Sequence, residues 1–173
     1  MKVYDGSETD SSQEEEPERV KVGIAEYEVT TDSATLTTSG LGSCVGVGLY
    51  DTKTGAAGLV HVMLPVAEEM DDGKPAKFAD TGTELLIEEL EATGSRRRDL
   101  VAKIAGGSDM LDFSEGGSGI GDRNIDKVKE TLEGYNISLV GEDVGGDHGR
   151  SVQLKSVDGD FLVKSANRDD RTL

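Results

Sequence analysis

The chain has 173 residues, 35 of them acidic and 18 basic, for a formal net charge of −17. That length suits one domain with a substantial core, and so acidic a surface repels phosphate backbones and anionic lipid, arguing against nucleic acid and membrane as partners. A single cysteine excludes an intramolecular disulfide and thiolate-rich zinc or iron–sulfur centres, and two histidines, His61 and His148, leave little for another metal site.

Residues 1–19 are acidic, Ser-rich and nearly free of apolar side chains, so a disordered tail is expected. They lack the basic start and apolar stretch of a signal peptide. No run approaches the roughly 18 apolar residues that cross a bilayer, so the default compartment is the cytoplasm. In the body of the chain the acidity fits a folded surface adapted to a salt-rich, strongly screened cytoplasm.

Residues 20–29 alternate loosely, as a half-buried strand does. Residues 34–38 predict a second strand and Ser39–Ser43 a loop. Residues 45–50 and 57–64 predict the arms of a β-hairpin, with turn chemistry between and Pro65 as the stop. Residues 81–92 predict a helix, with Thr81 and Glu84 as a capping box and Leu85, Leu86, Ile87 and Leu90 as its apolar face. Residues 100–105 predict a strand entering Gly106-Gly107. A second helix is expected over about 125–132, capped by Asn124 and ended by Gly134. Three further strands are expected over 137–144, 151–157 and 161–163, then a polar tail over 166–173. Many strands and two helices without βαβ alternation predict one α+β domain over 20–165. Its expected core is a layered, sandwich-like, largely antiparallel β-sheet with the two helices outside.

A lone cysteine is by default a small buried hydrophobe. Three features favour a nucleophile at Cys44. The preceding Gly40-Leu41-Gly42-Ser43 loop can present backbone N–H groups to an oxyanion, with Gly42 and Ser43 nearest the thiol. A four-residue hairpin loop at 51–54 would set Cys44 directly opposite His61, close enough for an imidazole nitrogen to reach the sulfur. The same register puts Val45, Val47, Leu49, Val60, Val62 and Leu64 on a core face. It leaves Cys44, Gly46 and Gly48 on the other, which glycine would keep open to substrate. An imidazole that takes the thiol proton lets the thiolate attack a carboxamide. A third group must orient the ring. Thr38 is a candidate, with several other Thr and Ser residues nearby.

The run Thr38-Ser-Gly-Leu-Gly-Ser-Cys44-Val-Gly-Val-Gly-Leu-Tyr-Asp51 resembles the signature of the chemoreceptor glutamine deamidases, the CheD family. The likeness continues through Gly58-Leu-Val-His61-Val-Met-Leu-Pro65, Lys77-Phe-Ala-Asp80 and Lys103-Ile-Ala-Gly-Gly107. It ends with Ile120-Gly-Asp-Arg-Asn124, Gly141-Glu-Asp-Val-Gly-Gly146 and Gly149-Arg150, so that it covers roughly residues 20–157. An ordered set of this kind is far more specific than one Gly-rich match. The resemblance implies Cys44 as nucleophile, His61 as base and Thr38 as third member. It implies hydrolysis of selected glutamines of methyl-accepting chemoreceptors to glutamate, with release of ammonia. It also implies docking to a CheC-type phosphatase, with no metal or organic cofactor; the hydropathy and charge already argue against membrane insertion.

Two other functions compete: a non-catalytic chemotaxis module that only docks to CheC or receptors, and a cysteine hydrolase of small amides. Elsewhere, His148 reads as a solvated loop residue, Gly116–Gly121 as a turn and helix entry, and Arg96–Arg98 as a solvated loop after a helix end.

Overall fold

The computed structural model describes residues 18–67, 73–109 and 119–173. The expected tail lies outside them up to Pro17, as do 116–118 of the Gly-rich run. Glu18 and Arg19, assigned to the tail, already form β1 (Glu18–Lys21). The single strand expected over 20–29 is in fact two, because the chain turns at Gly23–Glu26. Ala25 adopts a positive φ of 64°, and the Glu26 carboxylate accepts from the Gly23 N–H at 3.1 Å. The turn carries the chain to β2 (Tyr27–Thr30) in another sheet. Alternation runs through both halves because each strand turns one face inward.

β3 (Ala34–Leu41), β4 (Val45–Asp51) and β5 (Ala57–Val62) follow, then α1 (Ala79–Ala92), β6 (Leu100–Gly106) and α2 (Ile120–Gly134). β7 (Ser138–Val144), β8 (Arg150–Lys155), β9 (Phe161–Ser165) and β10 (Arg171–Thr172) complete the described chain. One five-stranded sheet has the order β10-β9-β8-β3-β1 and the other β2-β5-β4-β6-β7. Among these neighbours only β1–β3 and β6–β7 run parallel. The expected α+β sandwich with outer helices is what forms.

The layers run sheet, sheet, helices. Val45, Val47, Leu49, Val60 and Val62 of the second sheet pack against Leu86, Ile87 and Leu90 of α1 and Val128 and Leu132 of α2. Leu36, Leu41, Leu59, Val152, Leu154 and Phe161 fill the space between the sheets. β4 is therefore buried on both faces. A Cβ at Gly48 would sit 2.8 Å from the Phe161 ring, and one at Gly46 would sit 3.3 Å from Leu41. The glycine face is thus not open to substrate: its missing side chains let the other sheet close down, and full burial of a ring such as Phe161 contributes about 1.5–3 kcal/mol.

Three end signals also differ. α1 starts at Ala79, and Thr81 donates to the Pro75 carbonyl at 2.7 Å instead of capping. α2 starts at Ile120, which leaves Asn124 inside the helix and not at its cap. Within 166–173, expected as a tail, Arg171–Thr172 return as β10. Leu173 exchanges backbone hydrogen bonds with Phe161 at 2.9 and 3.3 Å, and its carbonyl oxygen accepts from Lys103 Nζ at 2.8 Å.

Candidate active site

The hairpin carrying Cys44 and His61 has a four-residue loop, Thr52–Gly55, closed by Asp51 N–H to Ala56 C=O at 2.8 Å. The sequence placed that loop one residue earlier. Moving the loop by one residue moves the register by two, so Gly46, not Cys44, stands opposite His61, and Tyr50 opposite Ala57. The cause is Asp51. Its backbone stays in β4 while its carboxylate accepts from the Lys53 and Thr54 N–H groups at 2.8 and 3.1 Å. A two-residue shift preserves side-chain parity. Cys44, one residue before β4, keeps the face of Gly46 and lies diagonal to His61. Such neighbours are about 7–8 Å apart, within reach of an imidazole.

His61 is fully buried, pointing into the space between the sheets. There it meets Thr38, from β3 of the opposite sheet, with Oγ1 to Nδ1 at 2.7 Å. The same Oγ1 lies 2.7 Å from the Val22 carbonyl. A hydroxyl has one proton and a carbonyl can only accept, so Thr38 donates to Val22 and accepts from the His61 Nδ1–H. This fixes the neutral ring as the Nδ1–H tautomer and leaves the lone pair on Nε2. Nε2 is buried and has no hydrogen-bond partner among the described residues. The main chain of His61 is held by the same turn that supplies Val22: its N–H donates to Glu26 at 3.1 Å and its carbonyl accepts from Ala25 at 3.0 Å. Burial pushes the His61 pKa down to about 4, so the ring is neutral at physiological pH.

Cys44 is part-buried and free. Burial raises its thiol pKa above the ordinary 9.0, and only its own backbone N–H opposes that rise. The resting pair is therefore neutral thiol and neutral imidazole, not thiolate and imidazolium. A cradle after β6 holds the cysteine loop. The Gly107 N–H donates to the Cys44 carbonyl and the Ser108 N–H to the Gly42 carbonyl, both at 2.8 Å. Gly106 has a φ of 114°, and a Cβ there would collide with the Cys44 carbonyl oxygen. Arg150, buried and paired with Asp143 at 3.0 Å, donates to the Gly106 carbonyl at 3.4 Å and ties this cradle to the first sheet. In the loop itself the Gly42 N–H closes onto Gly40 at 3.1 Å, while Ser43 is exposed.

The structure thus gathers Thr38, His61 and the Cys44 loop at one end of the sandwich. Sequence reasoning missed the Val22 carbonyl, which carries no side-chain signal, and the Gly106–Ser108 cradle, whose signal was a glycine pair closing a strand. His148 is packed, not solvated: its side chain is 14% exposed, and burial lowers its pKa. Arg96–Arg98 are exposed, as expected, with Arg97 paired with Glu91 at 2.9 Å and stacked over Tyr135 at 4.8 Å.

The family model described as CheD chemotactic sensory transduction matches residues 63–165, a stretch that begins just after His61. Full-length similarity takes in the whole site. The probable chemoreceptor glutamine deamidase CheD of Haloarcula marismortui is 62% identical over 173 residues, all of both chains. The protein of the same name from Natronomonas pharaonis is 45% identical over 157 residues, 90% of this chain and 93% of its own. That from Caldanaerobacter subterraneus is 44% identical over 149 residues, 84% and 92% of the two chains. By this similarity, and with the arrangement around Cys44 and His61 in place, the chain belongs to the CheD family.

Proposed function

We propose that this chain hydrolyses glutamine side chains of methyl-accepting chemoreceptors to glutamate, with Cys44 as nucleophile, His61 as base and Thr38 as orienting group. The observation that carries this reading is the Val22–Thr38–His61 chain of hydrogen bonds, which leaves on the face that Cys44 shares a buried Nε2 lone pair with no partner among the described residues. A docking module has no use for such an arrangement.

His61 contributes no surface, so the substrate carboxamide meets Cys44 and the exposed Ser43 beside it. As the thiol adds to the amide carbon, its proton passes to Nε2. With the thiol pKa raised and the imidazole pKa lowered, this transfer accompanies attack and does not precede it. The carbonyl oxygen becomes an oxyanion. The Gly42 N–H is engaged within the loop and the Cys44 N–H with its own sulfur, so the Ser43 N–H is the donor proposed for it. The imidazolium protonates the amide nitrogen, the C–N bond breaks and ammonia leaves a thioester. Nε2 then takes a proton from water, the hydroxide adds to the thioester carbon, and the C–S bond breaks to give glutamate and restore the thiol. General acid–base help of this kind is typically worth about 10²–10⁴-fold.

A cytoplasmic location beside the receptors, and a CheC-type phosphatase as regulatory partner, are part of this proposal. Incubation with receptor cytoplasmic fragments tests the reading. Specific glutamines should gain roughly one dalton with stoichiometric ammonia release, while free glutamine is turned over far more slowly. Faster turnover of free glutamine would make the protein a small-amide hydrolase instead.

A further inference from the structure

Asn124 stands fully buried in the second turn of α2. Its side-chain amide donates one hydrogen to the Ser43 carbonyl and the other to the Met63 carbonyl, each at 2.9 Å. Ser43 immediately precedes Cys44, and Met63 follows His61 by two residues. One side chain thus bridges the segment that carries the thiol and the segment that carries the imidazole, at the point where the hairpin ladder has ended with the Val45–Val62 pair. The orientation of the amide is forced: turned over, its oxygen would face two carbonyl oxygens. Oδ1 is itself buried with no partner among the described residues. Such a group is costly to keep, yet both of its donors are spent on these two segments.

The helix is set close enough for this bridge by Gly121, one turn earlier on the same face. A Cβ there would collide with the Gly107 and Ser108 carbonyl oxygens, so α2 lies directly against the cradle that holds the Cys44 loop. From these two observations we infer that Asn124 is a positioning residue for the deamidation: it sets the separation of the Cys44 sulfur from the His61 imidazole beyond the last pair of the ladder. The inference rests on the nucleophile–base reading of Cys44 and His61.

The test is a double-mutant cycle. Cys44 is the sole cysteine, so the rate of iodoacetamide labelling, read by intact mass, reports on that thiol alone. His61→Ala should slow labelling near neutral pH by about tenfold or more, because the general base is lost. Asn124→Ala should slow labelling and lower kcat to a similar degree while KM changes less than about twofold. Added to His61→Ala, it should slow labelling by less than about twofold, since nothing remains to be aligned. An equal factor in both backgrounds would make Asn124 a merely structural residue and overturn the inference. No effect of His61→Ala on labelling would instead overturn the nucleophile–base reading. If Asn124→Ala does not melt cooperatively, Asn124→Asp serves. It has nearly the same size, but its ionised carboxylate repels both carbonyls, so wild-type kcat in that variant would also overturn the inference.

Discussion

Replacing Thr38 by valine keeps shape and β-branching and deletes one hydroxyl. Two buried groups then lose their partner: the His61 Nδ1–H and the Val22 carbonyl, each now 2.7 Å from that oxygen. Leaving a buried polar group unsatisfied costs about 1–3 kcal/mol, so the variant should lose roughly 2–6 kcal/mol of stability. For a folded unit of this size that is a Tm drop of about 4–24 °C. The catalytic effect is separate. With no acceptor at Nδ1 the ring is free to carry its proton on Nε2, and the base then faces the thiol with an N–H instead of a lone pair. Wrong-tautomer and lost-orientation effects of this kind run to roughly 10²–10⁴-fold in kcat. Thr38→Ser restores the hydroxyl and should recover most of both losses. The assay is deamidation of a receptor fragment followed by mass spectrometry, with thermal melts alongside. A folded Thr38→Val enzyme with wild-type kcat, or a Thr38→Ser enzyme as impaired as the valine variant, would refute the tautomer argument.

Other expectations concern pH, backbone and salt. Because the folded His61 pKa lies near 4 and the unfolded one near 6.5, the unfolded state binds the extra proton between those values. Stability should therefore fall by up to about 3 kcal/mol as pH drops from 6.5 to 4, and denaturant titrations of wild type and His61→Asn should differ in that window. Gly106→Ala puts a Cβ into the Cys44 carbonyl at a φ of 114°. Strain of about 1–3 kcal/mol is the minimum, and kcat should fall more than Tm suggests, since the loop moves. A net charge of −17 repels itself when unscreened, and the Debye length shrinks from about 10 Å at 0.1 M to about 3 Å at 1 M salt. Tm should therefore rise with KCl over that range, and a flat profile would contradict the self-repulsion argument.

Parity was the most legible feature of the sequence. Val45, Val47 and Leu49 alternate with Cys44, Gly46 and Gly48, and any register consistent with that alternation puts the thiol and His61 on one face. The register itself was not legible, because Asp51 acts twice, as the last strand residue by its backbone and as the loop cap by its side chain. Composition alone reads such a residue as turn. The meaning of the glycines was inverted for a related reason. Absence of a side chain marks a close approach, and only the tertiary fold says whether a substrate or, as here, Phe161 and Leu41 make it. Asn124 has good capping chemistry and stands just before an apolar stripe, so local rules made it a cap. Its long-range acceptors, 81 and 61 residues away, leave no local trace. The C-terminal strand was hidden in the same way, since its polar side chains are exposed, its pairing with β9 is made by backbone, and the partner of Arg171, Asp143, lies 28 residues away.

In the proposed reaction one sulfur does the chemistry, so the decisive substitution is at that atom. Cys44→Ser, which keeps the fold and exchanges sulfur for a far weaker nucleophile, should abolish measurable conversion of glutamine to glutamate in receptor fragments under conditions where wild type goes to completion. Conversion at the wild-type rate by the serine variant would mean that the nucleophile is not Cys44.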